Sequence, residues 1–175
     1  FHDTYFVLAH FHYTFFPIAI IGTYAGITYW FPKMFGKMMN ETLGKLHFWL
    51  TIIPFNFIFI PLFVLGAAGE HRRIYDYQNF PELAGPWFFS LRQLATVSLI
   101  VMLLSQVFFF LNVFLSLRSG KKAGKNPYKS NTLEWQAESP PPHGNFATLP
   151  TVSRGPYEYS VPGRADDYWP QNLPA

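Results

Sequence analysis

Three pairs of side chains in this chain have the type and spacing to hold metals or anions: His2-Asp3, His10 with His12, and Arg72-Arg73. His10-Phe11-His12 lies in a run from Thr4 to Phe31 that contains no Asp, Glu, Lys or Arg. Imidazoles inside an apolar span are costly to bury and need partners. On a helix, residues two apart point roughly 200° apart. His10 and His12 therefore cannot chelate one metal from one face, but they can serve two metals on opposite faces. The plainer reading is two histidines hydrogen-bonded in a helix bundle; the sharper one is axial ligation of the iron of two haems, which histidine chemistry allows. His2-Asp3 sits roughly 12 Å above His10 if the helix continues that far. Asp3 would then cap the helix, or His2 and Asp3 would bind a hard divalent cation whose shell is completed by water and another subunit. Arginine forks match carboxylates bidentately. Arg72-Arg73 are accordingly read either as solvated loop residues or as partners of haem propionates.

The elements that position these residues are membrane-like. The chain has 175 residues, of which 50% are hydrophobic, 20% aromatic and only 13% charged, where a soluble domain has about 25% charged. Mean hydropathy is only +0.10 because two unlike parts are averaged. Residues 1–117 are apolar, whereas 118–175 hold nine of the fifteen prolines. Cysteine is absent, which excludes disulfides, zinc–thiolate sites and thiol catalysis. The pI near 9.1 comes from cations flanking apolar runs, a membrane pattern rather than a nucleic-acid one. Three spans are expected, at about residues 4–31 (ended by Pro32), 46–69 and 88–117, each at or beyond the ~20 residues that cross a bilayer. Pro17, Pro54 and Pro61 fall inside spans, where membrane helices tolerate proline.

Lys33, Lys37 and Lys45 follow the first span, and Arg118, Lys121, Lys122, Lys125 and Lys129 follow the third. Both segments fall on one side of a three-span protein, and the positive-inside rule makes that side cytoplasmic. His2, Asp3 and the loop 70–86 are then on the outer side, with Glu70, Asp76 and Glu82 read as solvated charges. Asn56, Gln106, Asn112 and Arg92 are read as interhelical hydrogen-bond partners, and His47 as an ordinary interfacial histidine. The tail 118–175 is expected as extended, proline-rich chain without a core of its own. The fold class is thus all-α membrane protein, three transmembrane helices of a larger bundle. The chain begins with Phe1 and is read as the C-terminal piece of a longer polypeptide, or one partner of a split one.

The run HDTYFVLAHFHY resembles the tenth-helix signature of subunit I of the haem–copper oxidases, in particular cytochrome c oxidase. WFPKMFGK, LGKLHFWL and GEHRRIYDY resemble the following loop, the eleventh helix and the propionate-binding loop, and NTLEWQAESPPPHGNF resembles the tail of bacterial members. The resemblance implies His10 on the high-spin haem of the oxygen-reducing site, His12 on the low-spin haem, His2 and Asp3 on magnesium, and Arg72 and Arg73 on the propionates. It implies two haems of the A type and a copper whose ligands lie outside this chain. The implied partners are the remainder of subunit I, subunit II with its copper electron-entry site, subunit III, cytochrome c and membrane lipid, with no nucleic acid. The implied location is a bacterial inner membrane, or the mitochondrial one. The expected activity is reduction of oxygen by cytochrome c coupled to proton translocation, supported only with the missing helices and partner subunits. Asp3 favours cytochrome c as donor. A quinol oxidase or nitric oxide reductase of the same superfamily, or a non-catalytic membrane scaffold, are the alternatives.

Overall fold

The structure, a computed structural model, describes residues 1–76, 85–159 and 161–174; of the expected loop charges, Glu82 lies outside them. Among the described residues there are helices, turns and two isolated antiparallel bridges, Thr4 to His71 and Lys37 to Lys122. Three helical runs, Tyr5–Phe35, Glu41–Ala67 and Pro86–Ser119, are long and apolar enough to cross a membrane.

The first run has three parts: α1 (Tyr5–Phe16), a π-helical turn (Pro17–Ile21) and α2 (Gly22–Phe35). Pro17 opens the wide turn because it has no N–H to offer the preceding turn. The Gly22 N–H closes the turn on the Pro17 carbonyl, five residues back, and such turns are single-turn insertions in α-helices. Pro32 does not end the run as expected. It is buried inside α2, which continues to Phe35. The stop comes at Gly36, whose φ of 65° suits the left-handed residue just beyond a helix. α3 (Glu41–Ala67) starts five residues before the expected span. Its first turn is supported by Glu41, which favours the positive helix start and pairs with Lys45 at 2.8 Å. α4 covers Pro86–Ser119.

Two compact units divide the chain. In the first, 1–26 with 41–112, the core is Ala9, Phe55, Ile58, Phe59 and Met102, flanked by Leu8, Tyr13 and Leu62. α1 and α3 approach closely where both carry small residues. Ala9 is fully buried, and a Cβ on Gly66 would collide with the backbone of Phe6 and Tyr5. Small residues serve this purpose between membrane helices, where backbone proximity supplies the packing. Large side chains on other faces, such as Phe15 (71% exposed) and Ile18 (79%), stay outside this core.

In the second unit, 27–40 with 113–175, the tail packs against the end of α2. Trp135, in a 3₁₀ turn (Leu133–Trp135), is fully buried and packs edge-on against Tyr29 and Tyr128. Lys33 Nζ donates to the carbonyls of Ala137 at 2.7 Å and Lys125 at 3.1 Å and lies 5.1 Å from the Trp135 ring centroid. Asn131, Arg154 and Gln171 are buried polar residues that tie tail segments together, Asn131 through Asp167 and Trp169, and Gln171 through Arg154. The backbone hydrogen bonds of an extended chain must go somewhere once buried; here side-chain amides receive and supply them.

Candidate functional site

His12 is half-buried on the α3 side of α1. Its ring stacks on Phe59 of α3 at 4.7 Å and 17° between planes, and its Nδ1 lies 2.8 Å from the Leu8 carbonyl. A carbonyl only accepts, so Nδ1 carries a hydrogen, and in the neutral ring the lone pair is on Nε2. That arrangement fixes both tautomer and ring orientation, as second contacts do for metal-ligating histidines. His10 is exposed on another face of the same helix. One residue along, Tyr13 donates to Asn56 Oδ1 of α3 at 2.6 Å, which together with the Phe55 and Phe59 rings sets the rotation of α1 about its axis.

At the start of α1 the chain is clasped to the end of α3. Tyr5 N–H donates to the Glu70 carbonyl and Arg72 N–H to the Asp3 carbonyl, both at 3.0 Å. The helix cap is Thr4, not Asp3: Thr4 Oγ1 accepts from Phe6 N–H at 3.3 Å. Asp3 has φ of 61°, a left-handed conformation that Asp tolerates better than most residues. The helical rise therefore does not extend back to His2. Freed from capping, the Asp3 carboxylate accepts from Arg72 Nε at 3.0 Å. The clasp thus joins two residues that were expected to hold different groups. This pair is partly exposed, 25% for the Arg72 side chain and 51% for Asp3, and such pairs are worth about 0–1 kcal/mol. Among the described residues the side-chain contact of this guanidinium is through Nε, which leaves its Nη edge for another acceptor. Arg73 and His2 are exposed. Among the described residues no cluster of three or more His, Cys, Asp or Glu side chains is placed to hold a metal ion. The Asp3 carboxylate is taken up by Arg72 rather than turned to a shared site with His2.

Arg92 and Gln106, expected to bond between helices, do so, but with partners that the sequence reading places elsewhere. Glu70 is not a solvated loop charge; it is 1% exposed. Arg92 of α4 forks onto it, Nε to Oε1 at 2.9 Å and Nη2 to Oε2 at 2.7 Å. An arginine within an apolar span needs a counter-charge, and that need was the available signal. His47 is buried. Its Nε2 donates to Gln106 Oε1 at 3.3 Å, which also accepts from Tyr24 at 2.6 Å. Gln106 Nε2 donates to Met102 O and Ser105 Oγ, and Ser105 Oγ lies 2.9 Å from Thr51 Oγ1. α2, α3 and α4 each contribute to this network.

The sequence profile of the family described as Cytochrome C and Quinol oxidase polypeptide I matches residues 1–101. The chain is 42% identical over 165 residues to "Cytochrome c oxidase subunit 1" of Thermostichus vulcanus, covering 94% of this chain and 29% of that protein. It is 44% identical over 162 residues to the protein of the same name from Synechocystis sp., covering 91% and 28%. It is 41% identical over 174 residues to "Alternative cytochrome c oxidase subunit 1" of Bradyrhizobium diazoefficiens, covering 98% and 29%. The chain spans less than a third of the length of these curated relatives.

Proposed function

The chain belongs to the Cytochrome C and Quinol oxidase polypeptide I family, its three apolar helices make it an integral membrane protein, and on that premise we propose that it is the C-terminal part of the catalytic subunit of a respiratory oxygen reductase. The observation that carries this reading is the state of His12: Nδ1–H held by the Leu8 carbonyl, ring stacked on Phe59, and Nε2 left with its lone pair. A ring prepared in this way suits axial ligation of iron, and His10 on a different face of α1 suits ligation of a second iron. His10 and His12 would hold haem iron there, which would supply one-electron redox chemistry and a site for oxygen.

The chain's own residues divide the remaining work. Leu8 and Phe59 hold the His12 ring. Arg73 and the unused edge of Arg72 compensate the propionate carboxylates, and the exposed Asp3–Arg72 pair is weak enough to rearrange around them. His2 and Asp3 contribute part of a magnesium shell that another subunit completes. The haems are of the A type, and the copper of the binuclear centre takes its ligands from the rest of subunit I. Subunit II delivers electrons from cytochrome c, subunit III joins the assembly, and oxygen reduction is coupled to proton translocation. The complex lies in a bacterial inner membrane with the tail, 118–175, cytoplasmic, and 1–117 forming the membrane part.

A pyridine haemochrome spectrum of the purified complex, followed by turnover on reduced cytochrome c or on quinol, tests this. Two haems per complex and oxidation of cytochrome c are expected. Absence of haem would leave a membrane scaffold, and oxidation of quinol alone would reassign the donor.

A further inference from the structure

We propose that Arg92 is a positioning residue: by sequestering the buried Glu70 carboxylate it keeps Arg72 and Arg73 available for anionic groups of the cofactor. This inference rests on the propionate reading above and adds a residue to it. Glu70 stands two residues before Arg72 and three before Arg73, and its side chain is 2% exposed. A carboxylate so buried must find a cation and hydrogen-bond donors. Chain order offers Arg72 and Arg73 first. Yet both Glu70 oxygens are taken by the fork of Arg92, 22 residues away on α4.

The backbone explains why the division holds. The Glu70 carbonyl accepts from Tyr5 N–H and its own N–H donates to the Leu65 carbonyl, so residue 70 is fixed at the end of α3 with its side chain turned to α4. Arg72 is turned instead toward Asp3, which takes Nε only, and Arg73 is exposed. Two of the three arginines thus meet carboxylates, with different outcomes. The dry pair is closed and bidentate, whereas the wet pair is open, one-pronged and exchangeable. A bidentate geometry is also what lysine at 92 could not supply.

Replacing Arg92 would release a carboxylate that competes for Arg72 and Arg73 and leaves a negative charge near the haem edge. In the assembled complex, Arg92→Met should lower the midpoint potential of the low-spin haem in the same direction as Arg72→Leu and Arg73→Leu. Glu70→Gln combined with Arg92→Met should return it to the parent value, because no carboxylate is released. A purely structural role for the pair predicts the opposite, a double variant no better than the single one. If Arg92→Met does not assemble, Arg92→Lys, which keeps the charge and loses the fork, should show a smaller drop in the same direction. A parent potential in Arg92→Met or Arg92→Lys while the Arg72 and Arg73 variants shift would overturn the inference alone. Unchanged potentials in all of them would overturn the propionate reading and this inference with it.

Discussion

The histidines of α1 are set apart by surroundings as much as by spacing. His12 has its ring stacked on Phe59, with Phe11 beside it, and one nitrogen engaged by Leu8, whereas His10 is exposed. Their separation around the helix was legible from the two-residue spacing alone; the tautomer was not, because it depends on a carbonyl one turn back and a ring on another helix. Arg72 and Arg73 differ in the same way. Arg72 is held by Asp3, and Arg73 is open to an incoming anion. Arg72→Lys and Arg73→Lys should therefore both lower haem midpoint potentials, since a point charge cannot fork onto a carboxylate. The Arg73 variant should be the more affected, because Arg72 already divides its charge with Asp3. Redox titration measures this, and two midpoints equal to the parent would return both arginines to the role of solvated loop residues. Glu70 was misread from sequence because burial of a loop carboxylate depends on Arg92, which no local pattern connects to it.

At the scale of elements, the number of helices and their membrane character followed from the three apolar runs, but their ends did not. Proline is a weak stop signal in a span, since neighbouring groups re-satisfy the freed carbonyl. Accordingly Pro32 is passed and Pro17 widens a turn. The contacts between helices were less legible still. His47 and Gln106 are 59 residues apart, and α3 is apolar on all sides, so periodicity cannot say which face meets which helix. Gly66 marks one such contact. Its missing Cβ is what lets α3 reach the backbone of Phe6 and Tyr5. Gly66→Ala should destabilise the assembled protein by roughly 1–3 kcal/mol, the range for overpacking, with the loss read as a lower thermal midpoint. The haem spectrum is the more specific gauge, because displacing the start of α1 disturbs the clasp of residues 3–5 on 70–72. A variant with the parent midpoint and spectrum would mean that the close approach carries no packing role.

For the whole molecule, the charge pattern carries the expected topology. Lys37 and Lys122 pair as neighbouring chain in the second unit, and Lys37 Nζ donates to the carbonyls of Leu117 and Arg118, so the two basic segments expected on one side do meet. The tail's internal order was not legible, because a proline-rich stretch held by Asn131, Arg154 and Gln171 has no period to read. Protease added to sealed right-side-out vesicles should spare residues 118–175, and protease added to inverted vesicles should cut them; the reverse pattern would put the tail outside. The central claim is that one helix serves two haems from two faces. Paired spectra of His12→Ala and His10→Ala in the assembled complex test it most directly. His12→Ala should remove the low-spin haem signal, and His10→Ala should keep that signal while abolishing oxygen reduction. Loss of both haems from either variant, with the complex still assembled, would contradict separate ligation.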